Sequence, residues 1–313
     1  MHCLRRTSSS ISASTRICGS RTIRPRRRVV SMTLRFGLFV PPFADFAEPG
    51  RVVELARSAE SAGWHGFFLW DHMLAIPGMQ VAEPWITLAA IAQVTSRMRL
   101  GMLVTPLARR RPWVVARESA TLDRLSRGRL VVGVGLGDDG WGEFGSFRGE
   151  PIDRSTRAQM LDESLSLLRQ FWSGEAVRWE GIHYKVDSGP FLPRPAQDPL
   201  PVWVACRWPH LLPLRRAARH QGCFPLFDQG GSEIPLLPEP TEVAAVRTEL
   251  IAYGAPENID IVCRGASSLV DPIERADGFA SLEAVGMTWW LESFGPGQPP
   301  AEVVEEVVRL GPN

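Results

Sequence analysis

Two short stretches of the sequence contain residues that could do chemistry. His72 follows Trp70 and Asp71 after an apolar run, and an imidazole can donate or accept a proton near neutral pH, so His72 is a candidate general acid or base. Residues 133–137 read Gly-Val-Gly-Leu-Gly, and closely spaced glycines allow backbone N–H groups to approach a ligand. Asp138 directly follows these glycines. It is a candidate second acid or base, and capping of the next loop is the alternative that we favour.

The glycine stretch ends a predicted strand–helix–strand unit in residues 99–142. Residues 100–107 and 129–137 are short apolar runs without a two-residue alternation, which is typical of parallel strands covered on both faces. Between them, apolar residues in 113–125 recur mostly every three or four positions, which predicts an amphipathic helix that Gly128 ends. The unit is therefore a βαβ unit with glycines where its second strand ends.

The same alternation of strand and helix continues along the chain. The predicted strands are residues 34–41, 66–70, 100–107, 129–137, 201–206, 223–227, 259–264 and 287–293, and the predicted helices are 49–62, 83–96, 113–125, 154–172, 211–220, 241–253, 273–285 and 301–310. A β-ribbon is predicted over 176–187. Eight strands that are each followed by a helix predict an α/β fold of the (β/α)8 TIM-barrel type in a single domain, residues 32–313. A doubly wound sheet is the alternative, but the sequence after the first strand is not a Gly-x-Gly-x-x-Gly turn.

The first 31 residues differ from the rest of the chain. They contain eight arginines, seven serines and no acidic residue, and we expect them to be disordered and outside the fold. They read either as a targeting segment or as translated upstream sequence of a GC-rich genome, and we favour a misassigned start. Residues 32–313 hold 27 arginines and lysines against 34 acidic residues, a net charge of about −7 that argues against nucleic-acid binding.

Composition also bears on compartment and on metal chemistry. No run approaches the roughly 20 apolar residues that a membrane helix needs. The five cysteines are scattered without a Cys-x-x-Cys pair, which favours a reducing compartment, the cytoplasm. The six histidines form no metal-binding motif, so we expect no metal.

The predicted strand ends form an aromatic and mostly apolar rim with few charged residues. In a TIM barrel the site lies at this end of the strands, and an apolar rim suits a planar aromatic cofactor. A metal-dependent hydrolase would need several histidines and carboxylates there. An aldolase would need a lysine, and the single lysine, Lys185, lies in the predicted ribbon.

Several motifs together resemble the bacterial luciferase-like flavin-dependent oxidoreductases. The motifs are Trp70-Asp71-His72, the segment from Arg99-Leu100-Gly101 to Thr105-Pro106, Ala-Thr-Leu-Asp-Arg-Leu-Ser-Arg-Gly-Arg-Leu at 120–130, residues 133–137 and Leu161-Asp162-Glu163. The resemblance covers residues 34–310 and is strongest in the first two thirds. It implies a barrel that binds FMN or coenzyme F420 at its mouth. The implied activity is hydride transfer to or from a small organic substrate, or its oxygenation, by a homodimer, with a non-catalytic flavin-binding barrel as the alternative.

The resemblance also implies roles for individual residues. The pair Asp71-His72 resembles the F420-dependent branch, in which the histidine lies near the reacting ring carbon and the aspartate contacts the ring. A non-prolyl cis peptide is expected behind the ring, at the bond from Met102 to Leu103. The residues expected along the cofactor tail are Thr105, Gly135, Leu136 and Gly137.

The fifth predicted strand departs from the family pattern. Relatives commonly present two glycines to the cofactor phosphate there, whereas this chain has Ala205-Cys206-Arg207. The resemblance therefore implies either that Cys206 crowds the phosphate or that Arg207 binds it by charge.

Other conspicuous residues have structural interpretations. Asp123 and Arg129 are expected to tie the end of the third helix together. The run 109–111, Arg-Arg-Arg, could attract an anion, but a solvated loop is the more usual role. Alternation along a strand places only one of Trp289 and Trp290 inward.

Overall fold

The computed structural model describes residues 34–227, 236–295 and 299–312. In these residues, eight parallel strands form a barrel: β1 (Arg35–Val40), β2 (Gly66–Leu69), β3 (Arg99–Pro106), β4 (Leu130–Gly135), β7 (Val202–Arg207), β8 (Gly222–Leu226), β9 (Asp260–Gly265) and β10 (Trp289–Ser293). The strands β5 (Ala176–Glu180) and β6 (Lys185–Pro190) form a separate antiparallel ribbon. The barrel closes in the order β1-β10-β9-β8-β7-β4-β3-β2. The helices are α1 (Pro49–Ser61), α2 (Pro84–Val94), α3 (Pro112–Leu125), α4 (Arg154–Ser173), α5 (Leu211–Ala217), α6 (Pro240–Ala252), α7 (Pro272–Ala284) and α8 (Ala301–Leu310). The predicted TIM barrel is confirmed. The prediction for residues 1–31 lies outside the described residues.

Local sequence explains why the elements begin and end where they do. Helices α1, α2, α3, α6 and α7 have a proline in their first turn, where its missing N–H costs no hydrogen bond. Helix α4 starts at the side chain of Asp153, which accepts the Thr156 N–H, and ends at Gly174 in the left-handed conformation. None of the helices in the described part of the chain combines the length and the apolar character of a membrane crossing.

Aromatic side chains fill the inside of the barrel. Phe68, Trp203 and Trp289 pack against one another there, with ring centroids 5.2–6.0 Å apart. Trp290 points the other way, into the layer between strands and helices. The prediction that only one of the two adjacent tryptophans faces inward is therefore confirmed.

Strand β3 is irregular at the position where a cis peptide was expected. The non-prolyl cis bond joins Leu103 to Val104, so the prediction of Met102–Leu103 is wrong by one bond. Met102 still pairs regularly with Val132 of β4, and the register shifts only between Met102 and Thr105. The irregularity thus begins after Met102, which the sequence pattern alone does not locate.

Asp123 and Arg129 have the structural roles expected of them. Asp123 is fully buried and accepts hydrogen bonds from the backbone N–H and side-chain amide of Gln197. The guanidinium of Arg129 donates to the carbonyl oxygens of Ala92, Thr95, Met98 and Ser126. These bonds satisfy the last carbonyls of α2 and α3 and tie both helices to the barrel.

Candidate active site

A cavity of about 670 Å³ opens where the barrel strands end. Its wall includes Trp70 after β2, Leu103 and Val104 of β3, Ala205 of β7 and Phe224 of β8. This is the end of a TIM barrel at which active sites lie. The cavity therefore lies at the strand ends, where the sequence predicts the site.

His72 lines this cavity and is bound on one side by Glu143. The Nδ1 atom of His72 lies 2.8 Å from Oε2 of Glu143. The Glu143 side chain is 2 % exposed and that of His72 is 24 % exposed. The loop after β4 therefore brings a buried carboxylate to the imidazole, which still faces the cavity.

The other oxygen of Glu143 is bound by three donors. Oε1 accepts the backbone N–H groups of Met73 at 2.5 Å and Leu74 at 3.3 Å, and Nη1 of Arg109 at 2.8 Å. Burial by itself raises the pKa of Glu143. The hydrogen bond and charge of His72, the charge of Arg109 and the Met73 N–H outweigh burial and hold the pKa below its ordinary value of 4.5. Glu143 is therefore an ionised acceptor at neutral pH.

Aromatic rings surround the imidazole of His72. The ring centroids of Trp141, Phe43 and Trp70 lie 4.9, 5.8 and 5.8 Å from its own. The aromatic rings cover much of the imidazole and leave its exposed part facing the cavity.

Asp71 lies at the cavity, but buried neighbours hold its carboxylate. Oδ2 accepts the Thr105 hydroxyl at 2.8 Å and lies 3.1 Å from Nη2 of Arg110. Arg109 donates to the Asp71 carbonyl at 2.9 Å. The side chains of Arg109 and Arg110 are only 6 % and 19 % exposed, so the expectation of a solvated arginine loop is wrong for these two residues. The buried carboxylates of Asp71 and Glu143 draw them inward.

Three predicted cofactor contacts do not reach the cavity wall. Met102 packs into the outer layer between strands and helices because side chains alternate along β3 and Leu103 takes the inward position. Thr105 is fully buried and bonded to Asp71. Cys206 is also buried in the outer layer, while its neighbours Ala205 and Arg207 line the cavity. The Cys206 side chain therefore points away from the cavity, and of the two alternatives for a cofactor phosphate, the charge of Arg207 is the one at the cavity wall.

The predicted glycine stretch does form part of the wall. Gly135, Leu136 and Gly137 all line the cavity. Gly137 has a φ of +72°, and a Cβ there would lie 2.8 Å from Cβ of Pro106. Asp138 also lines the cavity, and its Oδ1 accepts the N–H groups of the next two residues at 2.7 and 3.0 Å, which favours the capping role.

More charged residues line the cavity than the expected rim with few charges. Besides His72, the basic residues in its wall are Arg154, Arg207, His210, Arg216 and Arg264. Nη2 of Arg207 lies 3.6 Å from Oδ2 of Asp138. Arg216 forms a bidentate ion pair with Asp162, in which Nε and Nη2 of the arginine lie 2.5 and 2.9 Å from Oδ1 and Oδ2 of the aspartate. Sequence reasoning counted only strand ends, whereas Arg154 and Arg216 lie on helices. Glu143 was missed because it lies in a loop that has no periodic signal.

The residues present fit a planar aromatic cofactor with an anionic tail. Leu103 and Val104 form an apolar surface, and the backbone of residues 135–137 comes close beside it. The Nε1 atom of Trp70 is buried without a hydrogen-bond partner in the described part of the chain, so a ligand oxygen or nitrogen could satisfy it. The basic residues of the cavity wall could neutralise the anionic tail of such a cofactor.

A family model described as luciferase-like monooxygenase matches residues 34–225. The chain belongs to this family. Among its relatives, the F420-dependent glucose-6-phosphate dehydrogenase of Nakamurella multipartita is 34 % identical over 171 residues, 51 % of this chain and 48 % of the relative. The enzyme of the same description from Amycolatopsis mediterranei is 33 % identical over 164 residues, 51 % of this chain and 49 % of the relative. The chain thus matches about half the length of these relatives.

Several solved structures of other proteins have the same barrel fold as this chain. An F420-dependent secondary alcohol dehydrogenase in complex with an F420–acetone adduct has a TM-score of 0.70 at 17 % identity and covers 89 % of this chain and 98 % of its own. The F420-dependent tetrahydromethanopterin reductase of Methanopyrus kandleri has a TM-score of 0.67 at 17 % identity, covering 88 % and 96 %. A monooxygenase from Streptomyces bottropensis has a TM-score of 0.68 at 22 % identity, covering 88 % and 97 %. At these identities the likeness establishes the fold.

Proposed function

We propose that the chain is an oxidoreductase that moves a hydride between coenzyme F420 and a small organic substrate in this cavity. The observation that carries the proposal is His72, which lines the cavity and is bonded through Nδ1 to Glu143, so that its other nitrogen serves the ligand. The F420-dependent relatives support F420 over FMN. When bound, F420 supplies a ring carbon that accepts or releases a hydride.

The chain's own residues would position the reactants and handle the proton. Leu103 and Val104 would face the cofactor ring, and the backbone of residues 135–137 with Arg207 would hold its tail. Oxidation of an alcohol releases a hydride from carbon and a proton from the hydroxyl group. His72 takes that proton at Nε2, and in the opposite direction it returns the proton to the carbonyl oxygen.

Turnover assays with matched histidine variants test this function. The purified chain is mixed with F420 and either glucose 6-phosphate or a panel of secondary alcohols, and reduction is followed by loss of the visible absorbance of F420. We expect His72→Asn to lower kcat by about 100-fold or more, the usual contribution of a general acid or base. The matched control is His183→Asn, in the turn between β5 and β6 and not part of the cavity wall, which should retain wild-type turnover.

Three results would overturn the proposal. One is wild-type turnover in His72→Asn. Another is activity that needs reduced FMN and oxygen and shows no reaction with F420, which would make the chain a flavin monooxygenase. The third is binding of F420 with no turnover of any donor, which would favour the non-catalytic barrel.

We further propose that the enzyme works in the cytoplasm as a homodimer and does not bind nucleic acid. Three described cysteines, Cys206, Cys223 and Cys263, are buried free thiols, in keeping with a reducing compartment. The family resemblance supports the dimer, and the net negative charge of residues 32–313 argues against a nucleic-acid partner. Sedimentation equilibrium of the purified chain measures its oligomeric state.

A further inference from the structure

We propose that Glu143 is a positioning residue that fixes the tautomer of His72, with the proton on Nδ1 and an unprotonated Nε2 left for the ligand. This inference rests on the proposed function for its catalytic meaning. The tautomer itself is a property of the chain alone and can be measured without cofactor or substrate.

The geometry assigns the proton of the neutral imidazole to Nδ1. An ionised carboxylate only accepts hydrogen bonds, so at 2.8 Å from Oε2 of Glu143 the Nδ1 atom must be the donor. The proton of a neutral imidazole lies on one nitrogen at a time, and the hydrogen bond of that nitrogen decides the tautomer. Nε2 of His72 is then an acceptor, the state needed to take a proton from a substrate hydroxyl group.

The surroundings of Glu143 fix which of its two oxygens faces His72. Oε1 is already bound by the N–H groups of Met73 and Leu74 and by Nη1 of Arg109. These three groups are donors only, so an oxygen must occupy this side of the carboxylate. Oε2 remains for His72.

This asymmetry makes the isosteric variant Glu143→Gln informative. The amide oxygen of the glutamine should take the place of Oε1, because a terminal NH2 group there would face three donors. Its NH2 group then faces Nδ1 of His72, where the carboxylate oxygen was. The imidazole must accept at Nδ1, so its proton moves to Nε2 and the ligand meets a donor instead of an acceptor.

Arg109 connects Glu143 to Asp71, the residue before His72. Its Nη1 binds Glu143, and its Nη2 binds the backbone carbonyl of Asp71 at 2.9 Å. A single buried guanidinium therefore holds both the carboxylate that orients His72 and the backbone just before His72. The histidine is fixed by its side-chain partner and through the preceding residue.

Nitrogen NMR of the full chain labelled with 15N-histidine tests the inference. Protonated and unprotonated imidazole nitrogens have well-separated 15N shifts, and the His72 signals are identified by their loss in His72→Asn. We expect the neutral wild-type imidazole to be protonated at Nδ1, and Glu143→Gln to move the proton to Nε2. Glu143→Asp keeps an acceptor-only carboxylate and should retain the wild-type tautomer. Glu150→Gln makes the same charge change elsewhere in the loop after β4 and should also retain it.

Each outcome decides the inference. A neutral wild-type His72 that is protonated at Nε2 and not at Nδ1 overturns it, and this spectrum suffices even if a variant fails to fold. An unchanged tautomer in folded Glu143→Gln overturns it as well. In turnover assays, Glu143→Gln should lower kcat at least 100-fold with little change in KM, because the wrong tautomer alone lowers kcat about 10⁴-fold in Ser–His–Asp enzymes. If the tautomer inverts as expected but the wild type never reacts with F420, the inference stands and the proposed function fails.

Discussion

Arg110 and Asp71 form a buried ion pair in which Nη2 of the arginine lies 3.1 Å from Oδ2 of the aspartate. Burial alone would lower the pKa of Arg110. The charges and hydrogen bonds of Asp71 and Glu83 raise it by more, so the pKa lies above its ordinary value. The pair joins the turn after β3 to the end of β2, directly before His72. The Asp71 carboxylate thus fixes the backbone that presents the histidine.

Removing Arg110 should destabilise the fold. In Arg110→Gln the Asp71 carboxylate keeps Arg109 and Thr105 but loses one charged partner, and we expect the free energy of unfolding to fall by about 2 kcal/mol. Chemical denaturation measures the change. Arg111→Gln is the matched control, because Arg111 is exposed in the same run of arginines and should change stability little. Equal effects of the two substitutions would show that the ion pair does not stabilise the fold.

Gly137 should tolerate no side chain. Its φ of +72° is strained for alanine, and an added Cβ would lie 2.8 Å from Cβ of Pro106 and 2.9 Å from the Phe144 ring. We expect Gly137→Ala to lower the free energy of unfolding by ~1–3 kcal/mol and to weaken F420 binding. Gly140→Ala in the same loop meets its first neighbour only at 3.7 Å and serves as the control. Wild-type melting and binding in Gly137→Ala would contradict this account of the cavity wall.

His220 should make stability depend on pH. Burial, and then the charges of Arg169, Arg216 and Arg219, lower the pKa of His220 from 6.5 to about 4. Between these values the unfolded chain binds a proton that the folded chain does not, so this contribution to stability falls as the pH drops from 6.5 towards 4. His220→Gln should flatten the dependence over this range, measured by denaturation at several pH values, and His183→Gln should not. Parallel curves for wild type and His220→Gln would refute the assignment.

Much of the fold could be predicted from the sequence because its signals are local. Apolar runs such as residues 129–137 and prolines or glycines at helix ends depend on neighbouring residues alone, and they located the barrel elements to within a few positions. His72, Gly135, Gly137, Ala205 and Arg207 follow predicted strands and lie at the cavity wall, while their roles toward a ligand stay predictions.

The rest of the site depends on contacts between distant residues. Glu143 reaches His72 across 71 positions of the chain, and Arg109 is buried only because two carboxylates face it. The inward or outward direction of Cys206, and the bond at which β3 becomes irregular, depend on the register of neighbouring strands. No property of a single segment encodes these relationships.

Equilibrium titration of the purified chain with F420, and separately with FMN, measures which cofactor the cavity binds. Trp70 lines the cavity, so quenching of its fluorescence reports binding there, and Trp70→Phe identifies its share of the signal. We expect saturable quenching by F420 that is largely lost in Trp70→Phe, with weaker binding of FMN. Saturable binding of FMN with none of F420, or no binding of either, would contradict it.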